Sequence, residues 1–243
     1  MVRLPTPCVR LVRTLSKKVV FIIVEGPSDE EALHVLFERA LADAHVYIHV
    51  VHGDITSKKG VTPANVSKCL CNMVKSYAGK NGLRRGDFEK IVHLMDTDGA
   101  FVEDSAIVGN VDTDRPQYFD DVIRCRDAGG IIQRNTQKSK VMRRLAALPN
   151  VWGSIPYEPF YMSCNLDHVL YDLRNLSDAE KERQATLFSR KYHDDIPGFL
   201  DYICHSTFSV RGTRKESWQY IEQDHESLHR HSNLGNLFEE DDG

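Results

Sequence analysis

The chain alternates short, wholly apolar runs with longer segments whose apolar residues recur every three or four positions. Val19 to Val24 (VVFIIV), Val46 to Val51 (VYIHVV) and Ile91 to Met95 (IVHLM) have the length of strands and end in turn residues or charges. Such continuous runs read as strands buried on both faces. Gly26-Pro27 marks a turn after the first, and Ser28 is a helix cap ahead of Asp29, Glu30 and Glu31. Ala32, Leu33, Leu36, Phe37, Ala40 and Leu41 then carry helical spacing to about Ala42. Thr62, with Pro63 at the first helical position, opens a second helix that runs to about Tyr77. Strand, helix, strand, helix, strand is the order of a parallel α/β sheet.

Further along, Asp98 to Asp121 is acidic and shows little periodicity. Ile131 to Asn135 is expected as a short strand, Lys138 to Leu148 as a basic helix, and Val151 to Ile155 as the last strand of the core. Four helical patterns follow: Phe160 to Asp172, Asp178 to Tyr192, Ile196 to Cys204 and Arg214 to Asp224. The expected organisation is an N-terminal arm (1–17), an α/β catalytic domain (18–156), a helical C-terminal portion (157–238) and an acidic, disordered tail (239–243).

Composition narrows the picture only slightly. The 243 residues suffice for one large domain with an appendage, and 41% hydrophobic with 27% charged residues is ordinary for a globular chain. A net charge of −4 means that any nucleic-acid contact must rest on a local basic patch. No stretch approaches the roughly 18 apolar residues of a membrane span. Arg3, Arg10, Arg13, Lys17 and Lys18 precede an apolar run too short for a secretion signal. The expectation is therefore a cytoplasmic protein, off the membrane, with its six cysteines reduced. Cys69 and Cys71 have no second pair at zinc spacing and read as small buried residues.

The candidate chemistry lies where the apolar runs stop. The first ends in Glu25, the third in Asp96 and Asp98. Ligands of open α/β sheets bind at the carboxyl ends of the strands. Acids gathered there repel each other unless a cation or protons lie between them, which points to a hard metal such as Mg²⁺ or Mn²⁺. Asp96 and Asp98 are two apart, so an extended strand aims both to one side. Glu25 is a further ligand or a general acid–base.

The first strand with its VEGPSDE ending, followed by the hydrophobic run into DTDG, resembles the Toprim domain over roughly residues 18–155. Glu25 and Gly26 stand where that family has its glutamate and glycine, and Asp96 and Asp98 match its DxD. The first motif is most similar to OLD-type nucleases and to Toprim effectors of antiphage defence. The resemblance implies a Toprim-like, Rossmann-like sheet and a metal-dependent nuclease acting on DNA or RNA. It implies Glu25, Asp96 and Asp98 as catalytic and metal-binding residues. Asp29 matches a recurring acid of the first motif and is a candidate ligand, with helix capping the competing reading. A further acid completes a two-metal site in that branch; Asp104 is the candidate, with Glu103, Asp112 and Asp114 as alternatives. The chain has no GxxxxGK[ST] loop, so an ATPase controlling such an effector is a separate chain, docking on the C-terminal helices. An exposed sheet edge and the helical portion make a homo-oligomer an expectation.

A phosphodiester site needs cations beside it. Candidate contacts to nucleic acid are Lys58 and Lys59 after the second strand, Arg84 and Arg85 before the third, and Arg134, Arg143 and Arg144 around the basic helix. Lys138 and Lys140 are candidates to stabilise charge near the scissile group; a solvated helix face is the competing reading. His168 reads as structural. His225 and His229 are four apart, a metal spacing without the glutamate of an HExxH motif. Trp152, Tyr157, Phe160 and Tyr161 read as core aromatics. Two other functions stay open: a phosphatase using Asp96 as nucleophile, since DTDG resembles a DxDG motif, and a non-catalytic binding module.

Overall fold

A computed structural model describes residues 18–42, 46–52 (backbone alone), 54–109 and 111–238; the expected arm and acidic tail lie outside the described residues. Strand β1 (Lys18–Val24), helix α1 (Pro27–Ala40), β2 (Val46–His52), α2 (Val66–Lys80) and β3 (Phe88–Asp96) follow the predicted alternation. Three short strands come next: β4 (Ile107–Val108), β5 (Gln117–Tyr118) and β6 (Ile123–Arg124). Then follow α3 (Ala128–Ala146), β7 (Asn150–Val151) and β8 (Ile155–Met162). The chain closes with α4 (Leu166–Tyr171), α5 (Asp178–Tyr192), α6 (Ile196–His205) and α7 (Arg214–Ile221).

The main sheet has the order β2-β1-β3-β8-β7, parallel except for the β7–β8 pair. Its faces are both apolar, which is why its strands lack polar alternation. Val20, Ile22 and Val24 face a layer built from α1, α4, α5 and α6. Val19, Phe21 and Ile23 face α2, α3 and α7. The chain is thus an α/β fold with a mostly parallel sheet flanked by helices. From β1 it moves one way to β2, then crosses to β3 on the other side of β1. Helices α1 and α2 accordingly lie on opposite faces. The carboxyl ends of β1 and β3 therefore bound a topological switch point, where open sheets leave a crevice.

Several expectations change. Helix α1 starts at Pro27 with Gly26 as the cap residue, not Ser28; Asp29 Oδ2 accepts from the Gly26 N–H at 2.9 Å. Thr62 and Pro63 lie in a turn before α2, which begins at Val66. The strand expected over Ile131 to Asn135 is the second turn of α3. Asp127 caps that helix by accepting from Gly130 N at 3.0 Å, and this local start overrides the strand preference of Ile131 and Ile132. The last core strand is not Val151 to Ile155 but β8, which pairs with β3 from Ile91↔Tyr157 to Asp96↔Met162. Consequently the helix expected from Phe160 begins only at Leu166, and the domain boundary expected at 156/157 falls inside a core strand. Pro156 and Pro159 concealed that strand, since proline is rare inside sheets. The acidic segment after Asp98 contributes β4, β5 and β6, a small sheet over Val102, Ile107, Ile123 and Leu228. The C-terminal helices are not a separate layer: α5 and α6 share a core with α1, and Trp218 and Ile221 of α7 join the opposite face.

As expected, Tyr157, Phe160, Tyr161, Cys125, Cys164 and Cys204 are buried, whereas Trp152, Cys69 and Cys71, expected in the core, are only half-buried. No described helix is long and apolar enough to cross a membrane.

His93, in the middle of β3, is 1% exposed, with Nδ1 2.7 Å from the Tyr157 hydroxyl and Nε2 without a partner. Burial pushes its imidazole down to about 3. The folded state thus holds a neutral ring while the unfolded chain takes up a proton near the ordinary value of about 6.5. Stability is full above that value and falls as the pH drops from 6.5 toward 3, by about 1.4 kcal/mol per pH unit. In urea unfolding at pH 7.5 and 5.5, the wild type is expected to lose about 1 kcal/mol more than His93→Leu; equal losses would exclude this role.

Candidate metal centre

The predicted acids meet at the switch point. Glu25 follows β1 directly, and its Oε1 accepts from Thr56 Oγ1 at 3.1 Å and from the Asp96 N–H at 3.1 Å. Asp96 ends β3, and its Oδ1 accepts from Leu166 N at 3.1 Å, which ties the strand end to the start of α4. Asp98 turns back at φ 48°, in left-handed space that aspartate tolerates. Gly99 continues the turn at φ +64°, where an added Cβ would stand 2.6 Å from Leu228 Cδ2 and 2.9 Å from Ile123 Cδ1. Glycine alone lets the turn pack against that side-chain layer.

The side chain that joins these acids is Lys138. It is fully buried, with Nζ 2.5 Å from Asp98 Oδ2 and 3.6 Å from Glu25 Oε1. Arg134, one turn earlier on α3, donates to the Asp98 carbonyl at 2.9 Å and to the Tyr118 hydroxyl at 3.0 Å. Asn135 donates to the Gly99 carbonyl at 3.0 Å. The electrostatics divide the acids. Burial raises the Asp96 carboxyl well above its ordinary range, and neighbouring Glu25 adds to the rise. Burial pushes Glu25 up to about 8 against the pull of Lys138, with Asp54 and Asp98 reinforcing it. Burial also opposes ionisation of Asp98, but Lys138 and Arg134 hold it below the usual carboxylate value. One acid is thus matched to the lysine, while two lack a full counter-charge.

Comparison with known proteins returns no match. No family model, no curated protein and no solved structure is significantly similar to the chain.

The other candidate residues divide by geometry. Asp29 is buried within the first turn of α1, where burial and nearby Asp167 push it up to about 6. Its Gly26 contact is the capping role. Asp104 is exposed on a short 3-10 helix and is not brought to the other acids. Asp112 and Asp114 border the same cleft as Asp96 and Asp98, but are almost fully exposed and pair with Arg126. Lys140 is exposed, because two residues rotate a helix by about 200° and carry it away from the Lys138 side. Arg84 and Arg85 are exposed just before β3, whose other end carries Asp96; strand polarity places them at the opposite sheet edge. Lys58 and Lys59 border a different cleft, with Lys80 and Tyr77. Arg143 pairs with Glu222 at 2.8 Å and lies over the Phe101 ring, and Arg144 is exposed near the far end of α3. Arg134 is engaged at the site but already holds the Asp98 turn.

Sequence reasoning missed the cleft itself, a volume of about 650 Å³ lined by Asp96, Asp98, Arg115, Tyr118, Asn165 and Lys181. Lys181 pairs with buried Asp167 at 2.7 Å. Asn175 clamps Tyr118 through its N–H (2.8 Å) and carbonyl (3.0 Å). No local signal marks these residues, because they sit on segments remote in sequence from both acid motifs. His168 is the structural residue expected. Arg174 Nε donates to its Nε2 at 2.9 Å, and burial pushes its imidazole down to about 4.

If Lys138 holds the edge together, Lys138→Met leaves the half-buried Glu25 and Asp98 without their cation. A loss of about 3 kcal/mol in urea unfolding with EDTA present is expected. A loss below about 1 kcal/mol would show that the ion pair is not what joins β1, β3 and α3.

Proposed function

We propose that the chain is a metal-dependent phosphodiesterase of the Toprim type, acting on DNA or RNA. One observation carries the reading. Glu25 and Asp96, 71 residues apart, share a hydrogen bond at the switch point of a parallel sheet, with Asp98 beside them and a cleft opening from the aspartates. Ligands of open sheets bind at this place.

The residues fit a hard divalent ion. The donors are carboxylate oxygens, and Mg²⁺ or Mn²⁺ takes one or two carboxylates together with water and substrate phosphate. The contacts above engage Glu25 through Oε1 and Asp96 through Oδ1, so each carboxylate would keep a second oxygen for an ion, and Glu25 and Asp96 are the residues that would hold it. Asp98, already bonded to Lys138, supports the site rather than completing a cage. When bound, the ion supplies charge neutralisation at the phosphoryl oxygens and a more acidic water. Lys138 is positioned to balance charge that develops near Asp98. Lys181 and Arg115 border the cleft and are the cations proposed for a phosphate backbone there, where phosphate would compete with their present partners Asp167 and Asp178. Regulation by an ATPase on a separate chain, and a role in antiphage defence, rest on the resemblance of the two motifs alone.

A second reading has its own support. The Lys138 ammonium already sits between Glu25 and Asp98; it satisfies Asp98, and Glu25, pushed up to about 8, can keep a proton in place of a metal. A non-catalytic module would keep this arrangement.

Cleavage of plasmid, single-stranded DNA and RNA with Mg²⁺ or Mn²⁺, against EDTA, separates the two. Metal-dependent cleavage that falls by about 10²-fold or more in Glu25→Ala and Asp96→Ala is the expected result. Cleavage unchanged in Glu25→Ala would sink the proposal. Absence of cleavage by the wild type with any of these substrates would favour the non-catalytic module.

A further inference from the structure

After α7 the chain turns back to the sheet through residues 222–233. This return segment is pinned on one side. Ser163 N donates to the His231 carbonyl at 2.8 Å, and the single Ser163 Oγ proton is shared between the carbonyls of Glu226, at 2.8 Å, and His229. One residue of the sheet edge thus fixes the backbone of three residues of the turn. The side chains of those same three residues converge. Among the described residues, Glu226, His229 and His231 form the only group of three acid, histidine or cysteine donors within 4.8 Å of one another. The strand-end acids do not close to that spacing.

We propose that Glu226, His229 and His231 bind a divalent transition metal of the zinc class, at a site distinct from the acids of β1 and β3. Two imidazoles and one carboxylate suit zinc-class ions rather than Mg²⁺ or Ca²⁺, which prefer oxygen alone. Bonds of about 2.0–2.2 Å in a tetrahedron set neighbouring donors about 3.3–3.6 Å apart. The Glu226 Oε1 to His229 Nδ1 distance is 3.6 Å, and Glu226 Oε2 to His231 Nε2 is 2.6 Å. The shorter contact is a hydrogen-bonded pair that opens slightly around an ion. The longer one exceeds a hydrogen bond and matches the spacing of two donors on one tetrahedral ion. His229 is 41% exposed and the Glu226 side chain 23%, so the group is open to solvent for a fourth ligand. The Tyr220 hydroxyl lies 3.0 Å from Glu226 Oε2 and 3.2 Å from His231 Nε2, on the donor atoms themselves, and would yield those atoms to a bound ion.

The site's position gives it a consequence. Within the same turn, the Ser227 carbonyl accepts from Thr97 Oγ1 at 2.8 Å and from Cys164 N at 3.0 Å. Thr97 lies between Asp96 and Asp98. A metal holding the turn therefore rigidifies the sheet edge from behind.

The test uses the full chain, stripped with EDTA, dialysed and titrated with Zn²⁺ alone by calorimetry, with Co²⁺ absorption reporting imidazole ligation. One equivalent with the imidazole signature in Co²⁺ absorption is expected in the wild type and the Glu25→Ala/Asp96→Ala double variant alike, whatever the strand-end acids bind besides, and is expected to raise the melting temperature of both. His229→Ala removes a half-exposed ring from a surface turn. It is expected to weaken binding beyond the roughly 10- to 100-fold typical of a lost supporting partner, and to abolish the thermal shift with its circular dichroism unchanged. His231→Gln is the second variant, expected to do the same. No Zn²⁺ binding by the wild type, binding retained in both histidine variants, or binding lost only in the Glu25→Ala/Asp96→Ala protein would each overturn the proposal.

Discussion

A lysine ammonium buried among strand-end carboxylates governs this molecule. Lys138 has no exposed surface, and a buried cation is tolerated only where counter-charges reach it. Glu25 and Asp98 supply them from two strands, and without the cation their own repulsion would oppose closing the sheet edge. This dependence fixes where α3 must lie. Gln137 donates to the Val61 carbonyl at 2.7 Å, Asn135 to Gly99 and Arg134 to Asp98. Three residues within one turn of helix α3 therefore grip the loop after β2 and the turn after β3. The lysine is delivered between them.

The same ion pair shapes what the edge can do. Lys138 satisfies Asp98 more fully than it satisfies Glu25, and Asp96 receives little of its charge. A residual demand for positive charge is thus left where the cleft opens. In the proposed reading a divalent ion would answer that demand with oxygen ligands and water, and Lys181 and Arg115, which line the cleft, would meet a phosphate backbone. The edge is balanced without a metal but not saturated.

The C-terminal third belongs to this edge rather than to an appendage. Leu166 N holds Asp96, the Ser227 carbonyl holds Thr97, and Lys181 reaches Asp167 beside the buried Asp29. Helices α5 and α6 pack against α1 over one face of the sheet. The strand ends are therefore braced from both halves of the chain, and their geometry is a property of the whole fold.

Local pattern was enough to determine β1, α1 and β3, because strands buried on both faces leave continuous apolar runs, and a run that ends in acids marks its own carboxyl end. The class of the fold and the acids Glu25, Asp96 and Asp98 were legible for that reason. Strand β8 was not, since Pro156 and Pro159 contradict the local preference of a strand that only pairing with β3 specifies. Nor was the start of α3, since Ile131 and Ile132 carry the local preference of a strand and the capping by Asp127 shows only in the fold. Choosing Lys138 over Lys140 depended on helix rotation, and excluding Arg84, Arg85 and Asp104 depended on which sheet edge or surface each residue occupies. The Glu226, His229 and His231 cluster was seen only as scattered histidines, because a turn pinned by Ser163 brings their donors together. Residue type and spacing along the chain are short-range information, whereas convergence at a site is set by register and packing between segments far apart in sequence.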